Sequence, residues 1–239
     1  MDERQTRLAD LETWLIGGSS VARLRVVFLH GYDMRASDLT PFAHSLAIPG
    51  VAYAFPQAPT PVSATGYAWW PSIAPRPAGQ PSIPRDLWRE YPAGRERART
   101  LIRDLLESLR SQCDLPVLLA GFSQGGMLAC DSVLMENTRI AALAMMSASC
   151  IASGEWQENR ERLDGIPTLV SHGRRDPDLS FDAGLRLATF LAGGSAKVTW
   201  VPFDGGHEIP FFVWRQFKRF VQGMLREADQ DITHAYETH

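Results

Sequence analysis

A serine stands between two glycines at residues 121–125, where the chain reads Gly-Phe-Ser-Gln-Gly. An apolar run at 117–120 precedes this G-x-S-x-G pattern, and an apolar pattern of helical period follows it from Gly126. A strand, a tight turn and a helix in direct succession are typical of the turn that presents a nucleophilic serine. The flanking glycines let neighbouring backbone pass close by, and the helix N-terminus favours negative charge beside the hydroxyl. The pattern therefore predicts that Ser123 attacks a carbonyl carbon.

A serine hydroxyl is a weak nucleophile until a base takes its proton, and the base needs a carboxylate to orient it. For this kind of turn the acid follows the serine along the chain, and the histidine comes last. Asp176 lies just after a buried strand pattern at 166–171, and His207 lies in a glycine-bearing loop after the pattern at 198–201. We therefore predict a catalytic triad of Ser123, Asp176 and His207.

Two other carboxylates compete with Asp176 for the role of the acid. Asp178 lies two residues later in the same turn, and Asp204 lies three residues before His207. A single aspartate in a turn is most often a turn former, and a single histidine is most often an ordinary surface or core residue. The order along the chain and the matching strand ends favour the triad over these simpler interpretations, while the choice between Asp176 and Asp178 stays open.

The oxygen that becomes negative during such an attack needs two backbone N–H donors. Gln124, which follows the predicted nucleophile, is one predicted donor. Tyr32, in the turn after the apolar run at 24–29, is the other, and Gly31 allows close approach there. His30 precedes this turn, and we predict that it makes a scaffold hydrogen bond, because strand ends of this kind are buried.

The elements that must position these residues follow from periodicity. Short apolar runs alternate with longer helical patterns, which is typical of a mostly parallel sheet with helices on both faces. Strands are predicted at 24–29, 51–55, 116–120, 140–146, 168–171 and 197–201, and helices at 38–46, 93–111, 126–136 and 181–191. A further amphipathic stretch at 209–225 is interpreted as a helix packed on the sheet, with attachment to a membrane surface as the alternative.

The chain of 239 residues has 45% hydrophobic and 21% charged residues, which predicts one soluble domain over 1–239 with a core at about 23–226. Proline and glycine recur through 57–92, so we predict an ordered surface excursion there. The polar residues 229–239 lack periodicity and are predicted to be a tail.

Aromatic residues of the excursion suggest one wall of a substrate pocket. We assign Trp69 and Trp70 to that wall, together with Phe122 beside the serine and Ile209 beyond the histidine. Apolar side chains at these positions favour an apolar acyl or aryl group.

Composition excludes several classes of protein. The 24 basic and 27 acidic residues give a net charge of −3, so no strong field favours nucleic acid or anionic lipid. No apolar run reaches the roughly 20 residues of a membrane-spanning helix, and no signal-peptide pattern is present. The cysteines lack CxxC spacing and the histidines lack metal-ligand spacing. We expect a cytoplasmic protein that needs neither cofactor nor metal, and a homodimer is compatible with the sequence.

Six motifs in order resemble the carboxylesterase, phospholipase and acyl-protein thioesterase family of small α/β-hydrolases. They are LHGY at 29–32, FPQAP at 55–59, GYAWWP at 66–71, GFSQGG at 121–126, HGRRD at 172–176 and GGHEI at 205–209. The resemblance extends over about 23–225. It implies the α/β-hydrolase fold and hydrolysis of a small ester or thioester.

The resemblance also implies site residues. It assigns the triad to Ser123, Asp176 and His207, and the oxyanion donors to the amides of Tyr32 and Gln124. A binder on the same fold that has lost catalysis, and an acyltransferase, are the alternative functions. One position departs from the family, because Asp33 stands where the family usually has glycine. Residues other than glycine tolerate positive φ poorly, although aspartate does so better than most, so the oxyanion loop is expected to differ in shape.

Overall fold

The computed structural model of the protein describes residues 2–18, 20–71 and 83–237. In these ranges the strands are β1 (Glu3–Leu8), β2 (Leu11–Ile16), β3 (Leu24–Leu29), β4 (Val51–Pro56), β5 (Thr60–Pro61), β6 (Tyr67–Ala68), β7 (Val117–Phe122), β8 (Ala142–Met146), β9 (Pro167–Gly173) and β10 (Lys197–Phe203). The α-helices are α1 (Thr40–Leu46), α2 (Arg95–Gln112), α3 (Gln124–Glu136), α4 (Ser153–Glu158), α5 (Phe181–Gly193) and α6 (Phe211–Glu237).

An eight-stranded sheet organises the molecule, in the order β1-β2-β4-β3-β7-β8-β9-β10. The strands from β4 to β10 in this order pair in parallel, and β1 and β2 extend the sheet as an antiparallel hairpin. The carboxyl ends of parallel strands meet at one edge, so the loops that leave β3, β7, β9 and β10 come together there. The mostly parallel α/β architecture predicted from the sequence is confirmed.

Helices cover both faces of the sheet. On one face α2, α3 and α5 pack through an apolar cluster that includes Ile102, Leu128 and Leu187. On the other face α1 and α6 pack through a second cluster that includes Leu46 and Phe217. Successive residues of a strand point to opposite sides, so each central strand contributes to both clusters. The sheet therefore lies between two apolar layers, which fix the positions of its strands.

The hairpin of β1 and β2 is not predicted from the sequence. Because β1 is an edge strand whose residues are exposed or half-buried, it lacks the apolar pattern that marks a buried strand. Ala9 and Asp10, which connect the two strands, both have positive φ, of 46° and 65°. This is typical of the tight turns that join antiparallel strands. The alternation of buried Leu11 and Thr13 with exposed Glu12 in β2 was the available signal.

The last helix, α6, overlaps two stretches that the sequence describes separately, the amphipathic stretch at 209–225 and the predicted tail at 229–239. Its residues Val213, Phe217 and Val221 are fully buried against the sheet, so the packed-helix interpretation of 209–225 is confirmed over membrane attachment. Residues 229–237, for which the sequence predicts a tail, continue α6, and 238 and 239 lie outside the described residues. No helix in the described ranges combines the length and the apolar character needed to cross a membrane.

The sequence does not predict α4. A buried carboxylate on α3 joins this helix to the rest of the molecule. Asp131 of α3 is fully buried and accepts a hydrogen bond from Trp156 Nε1 of α4 at 2.7 Å. It also accepts from Arg95 and Arg99 of α2 at 2.8 and 2.9 Å. A buried carboxylate with three such donors has its charge compensated. These bonds join three helices, including the one that begins directly after Ser123.

Candidate active site

Ser123 occupies a strained turn between β7 and α3. Its φ of 52° and ψ of −118° lie in a region that residues with a side chain rarely adopt, and such strain is concentrated at functional sites. The Ser123 N–H donates to the carbonyl of Met146 at 2.8 Å, and the N–H of Met127 donates to the Ser123 carbonyl at 3.1 Å. The neighbouring strand and the first helical turn therefore hold this conformation.

The flanking glycines are required by close backbone contact. A Cβ on Gly121 would lie 2.2 Å from the carbonyl carbon of Gly125. A Cβ on Gly125 would lie 2.2 Å from the carbonyl oxygen of Leu29 and 2.5 Å from that of His30. Neither contact can be relieved by a side-chain movement. Gly121 therefore lets the strand and the helix start lie close together, and Gly125 lets the turn lie directly against the end of β3.

The predicted triad residues converge at the carboxyl edge of the sheet. His207 Nε2 lies 2.9 Å from Ser123 Oγ, and His207 Nδ1 lies 2.7 Å from Asp176 Oδ2. The carboxylate only accepts, so Nδ1 carries the proton and Nε2 presents its lone pair to the hydroxyl. The three side chains are therefore joined by continuous hydrogen bonds, and the imidazole can accept the proton of Ser123 while the carboxylate stabilises it.

The structure distinguishes the competing carboxylates. Asp176 is 3% exposed, and its Oδ1 accepts from the N–H groups of Asp178 and Leu179 at 2.8 and 2.9 Å. Asp178 thus contributes a backbone donor, while Asp204 is an exposed partner of Arg175. Of the candidate acids, Asp176 is the one whose carboxylate reaches His207.

Hydrogen bonding keeps Asp176 ionised in spite of its burial. Burial alone raises the pKa of a carboxyl group, but the donors from His172 and His207 outweigh it and hold the pKa of Asp176 below its usual range. His172, a fully buried residue of β9, was not singled out from the sequence. Its signal is its place in the HGRRD motif, four residues before the acid.

The loops after β9 and β10 are bound to each other. The N–H groups of Arg174 and Arg175 donate to the carbonyls of Phe203 and Gly205, both at 2.9 Å. A Cβ on Gly173 would lie 2.2 Å from the carbonyl oxygen of Gly206, so glycine is needed where the loops cross. This pairing helps to set the spacing between Asp176 and His207.

The predicted oxyanion donors lie on neighbouring strand ends, since β3 and β7 are adjacent. Neither the Tyr32 N–H nor the Gln124 N–H donates to another described residue, so both can serve a bound oxygen. Asp33 has a φ of 59°, in the left-handed region that aspartate tolerates better than most residues other than glycine. Its N–H donates to the Tyr67 carbonyl at 2.9 Å, and the Tyr67 N–H donates to the Met34 carbonyl at 3.0 Å. These two bonds connect the turn to β6.

The first part of the excursion, 57–71, is hydrogen-bonded to Gln124 and to His30, which lies two residues before Tyr32. The Gln124 side chain accepts from the Trp69 N–H and donates to the Trp70 carbonyl, each at 2.9 Å. The Trp69 indole N–H donates to the His30 carbonyl at 3.0 Å. Sequence reasoning identified Gln124 for its backbone and missed this use of its side chain. Residues 72–82 of the predicted 57–92 excursion lie outside the described residues.

His30 makes the scaffold hydrogen bonds predicted for it. Its Nδ1–H donates to the Gly31 carbonyl at 2.7 Å, and its Nε2 accepts from Gln57 Nε2 and the Ala58 N–H at 2.9 and 3.0 Å. Burial lowers the pKa of His30 to about 4, so the ring is neutral near pH 7. His30 connects the end of β3 to the start of the excursion.

The assignment of Trp69 and Trp70 to a pocket wall is corrected. They are 3% and 2% exposed and belong to an apolar core cluster, and they are hydrogen-bonded to Gln124. Phe122 lies beside the triad, with its ring centroid 4.9 Å from that of His207. Ile209 is half-buried two residues after His207 in the chain, and its place in a pocket stays a prediction.

Two other chemistries can be compared with this geometry. Ligand atoms of Asp176, Asp178 and His207 lie within 4.8 Å of one another, but a cation bound there would have to break the bond between Asp176 and His207. Cys130 and Cys150 are buried, and burial raises the pKa of both thiols well above the usual value. A thiolate nucleophile is therefore disfavoured at either position.

Comparison with known proteins points to one family. The Phospholipase/Carboxylesterase family model matches residues 15–225. The chain is similar to acyl-protein thioesterase 1 of Candida albicans, with 23% identity over 181 residues that cover 70% of this chain and 76% of that protein.

Solved structures share the architecture. Esterase PE8 has a TM-score of 0.75 at 23% identity, with 90% of this chain and 99% of that chain covered. Acyl-protein thioesterase 2 of Zea mays has a TM-score of 0.70 at 20% identity, with 89% of this chain and 98% of that chain covered. A carboxylesterase from Mesorhizobium loti has a TM-score of 0.72 at 17% identity, with 93% of this chain and 100% of that chain covered. At these identities the likeness shows a common fold.

The contact at Gly125 gives a prediction about stability. Gly125→Ala should lower the free energy of unfolding by about 2–4 kcal/mol, because the added methyl meets two backbone carbonyls. Gly223→Ala is the matched control, since a Cβ there meets nothing within 4 Å and alanine favours the interior of α6 by about 1 kcal/mol. Urea unfolding measures both. Equal effects of the two substitutions would contradict the close approach.

The lowered pKa of His30 predicts a pH dependence of folding. The unfolded chain binds a proton near pH 6.5 and the folded protein only near pH 4, so stability is complete above pH 6.5 and falls as the pH drops towards 4. Protonation of this residue in the unfolded chain should make the free energy of unfolding about 2 kcal/mol lower at pH 5 than at pH 8. His30→Gln should remove that part of the dependence, whereas His44→Gln, at an exposed histidine, should retain it. Identical pH dependence in wild type and His30→Gln would refute the assignment.

Proposed function

The chain belongs to the phospholipase/carboxylesterase family, and we propose that it is a serine hydrolase that cleaves carboxylic esters or thioesters through an acyl-enzyme. The observation that carries the proposal is the pair of hydrogen bonds from Ser123 through His207 to Asp176. The similarity to a protein named as an acyl-protein thioesterase supports the thioester part.

In the proposed reaction His207 Nε2 takes the proton of the Ser123 hydroxyl as Oγ bonds to the carbonyl carbon of the substrate. Asp176 stabilises the imidazolium that forms, and its hydrogen bond to Nδ1 keeps the ring in position. The carbonyl π electrons move to oxygen, where the Tyr32 and Gln124 amides stabilise the charge. When the carbonyl re-forms, the bond to the alcohol or thiol breaks and His207 protonates the leaving group.

Water then completes the proposed cycle. His207 takes a proton from a water molecule, and the water oxygen attacks the acyl carbon. The bond between that carbon and Ser123 Oγ then breaks, and Oγ recovers a proton from His207. The products are a carboxylic acid and the released alcohol or thiol. These steps use side chains and backbone of the chain itself.

Replacement of the nucleophile tests the mechanism. Ser123→Ala should lower kcat for p-nitrophenyl butyrate by at least about 10⁴-fold while leaving urea unfolding close to wild type, because the hydroxyl forms the covalent bond. Ser45→Ala, at an exposed serine of α1, is the matched control and should retain full activity. Substantial turnover by folded Ser123→Ala would rule out the assignment.

A fluorophosphonate probe separates an enzyme from a binder on the same fold. Wild type and Ser45→Ala should be labelled on Ser123, and Ser123→Ala should not be labelled. Absence of labelling in folded wild-type protein would favour the binder. Ester products formed in the presence of added alcohols, at yields above the ratio of alcohol to water, would favour an acyltransferase.

Phe122 beside the triad, and Ile209 at its predicted place in the pocket, predict a preference for apolar acyl groups. Each buried methylene contributes about 0.8 kcal/mol, so kcat/KM should rise by about tenfold from p-nitrophenyl acetate to the butyrate. Steady-state rates across a chain-length series, with the charged p-nitrophenyl succinate as the control, measure this preference. Faster turnover of the succinate than of the butyrate would reject an apolar pocket. The same acyl series on thioesters compares the two leaving groups.

A further inference from the structure

A second histidine contacts the carboxylate that orients His207. His172 Nε2 lies 3.3 Å from Asp176 Oδ2, the same oxygen that accepts from His207 Nδ1 at 2.7 Å. Both His172 and the Asp176 side chain are fully buried. A single carboxylate oxygen therefore faces two imidazoles, and the proposed mechanism uses only one of them.

The proton of His172 can be located from its neighbours. Its Nε2 lies 3.1 Å from the carbonyl oxygen of Leu179, and a carbonyl can only accept, so Nε2 carries a hydrogen. Asp176 Oδ2 lies 3.3 Å from the same nitrogen, within reach of that hydrogen. Nδ1 is buried and has no hydrogen-bond partner among the described residues.

His172 closes a ring of contacts around the acid. The Leu179 N–H donates to Asp176 Oδ1 at 2.9 Å, while the Leu179 carbonyl accepts from His172. The Leu179 carbonyl thereby joins the turn to β9, while the Leu179 N–H holds the acid within the turn. A Cβ on Gly184 of α5 would lie 2.3 Å from His172 Nδ1, so α5 leaves the ring no room to withdraw.

The charges near His172 are few in the described part of the chain. β10 places Pro202 opposite it, and α5 presents Gly184 and the Phe181 ring, at 6.4 Å between centroids. Arg174 lies over that same Phe181 ring, at 4.9 Å. Asp176 is the carboxylate in direct contact, so the ring acts on the triad through that group.

We propose that His172 is a positioning residue for the proposed hydrolysis, holding Asp176 and withdrawing charge from the oxygen that binds His207. The inference rests on the proposed function, because it concerns the same triad. A donor on Oδ2 weakens the pull of that oxygen on the Nδ1–H of His207. Loss of that donor should therefore strengthen the bond between His207 Nδ1 and Asp176, with an effect on the rate that depends on pH.

The test compares three substitutions at one position. His172→Leu removes the donor, His172→Asn keeps an amide that is too short to reach, and His172→Gln carries an N–H at about the distance of Nε2. For each variant the pH profile of kcat/KM is measured with p-nitrophenyl butyrate. Each rate is normalised to the amount of protein that a fluorophosphonate labels on Ser123. Unfolded protein is not labelled and is therefore excluded from the comparison.

His172→Leu and His172→Asn should move the acid limb of the profile upward by about 0.5–1 pH unit and lower kcat about tenfold, with KM changed less than about threefold. His172→Gln should restore most of the wild-type profile. If the His172→Leu variant does not fold, the comparison of His172→Asn with His172→Gln tests the proposal. An acid limb that stays at the wild-type pH in every folded variant, whatever happens to the melting temperature, would show a merely structural residue. Absence of labelling and turnover in wild type would instead reject the proposed function.

Discussion

The hydrogen bond between Ser123 and His207 is the contact on which the account depends, because it joins residues 84 positions apart. Such a bond needs loops from separate strands to arrive at one place. The sheet order puts β7, β8, β9 and β10 side by side, and the parallel arrangement sends their loops to the same edge. Helices on both faces then bury the strands, so the core sets the positions of the strand ends from which the loops leave.

Backbone contacts carry this placement down to the individual side chain. The turn at Ser123 keeps a positive φ because a strand on one side and a helix on the other hold its N–H and its carbonyl. The glycines around it are needed for space, since any Cβ would meet main-chain atoms. The excursion is held in a similar way, because Gln57 and Ala58 are bonded to His30 and Trp69 and Trp70 are bonded to Gln124. The strain at the nucleophile is thus supported by many ordinary hydrogen bonds.

Much of this could be predicted from the sequence, because the chemistry constrains residue type, order and spacing. Ser123, Asp176 and His207 could be selected since each follows a recognisable strand, but the choice of Asp176 over Asp178 required coordinates. Two residues separate these carboxylates, and only the turn geometry decides which side chain points to His207. Trp69 and Trp70 were misassigned because aromatic residues in a proline-rich segment look like a pocket wall, whereas both are buried in the core and hydrogen-bonded to Gln124. β1 carries no apolar pattern, and the motif that contains His172 does not by itself show that its ring contacts the acid.

The central claim is that the hydroxyl of Ser123 reacts while the amides of Tyr32 and Gln124 hold the oxygen that gains charge. A crystal structure of the protein after inactivation by a fluorophosphonate measures this directly, because the bound phosphonyl group resembles the tetrahedral intermediate. The account predicts a bond from Ser123 Oγ to phosphorus and a phosphonyl oxygen about 3 Å from both amide nitrogens. An adduct on another side chain, or an oxygen turned away from both amides, would contradict it.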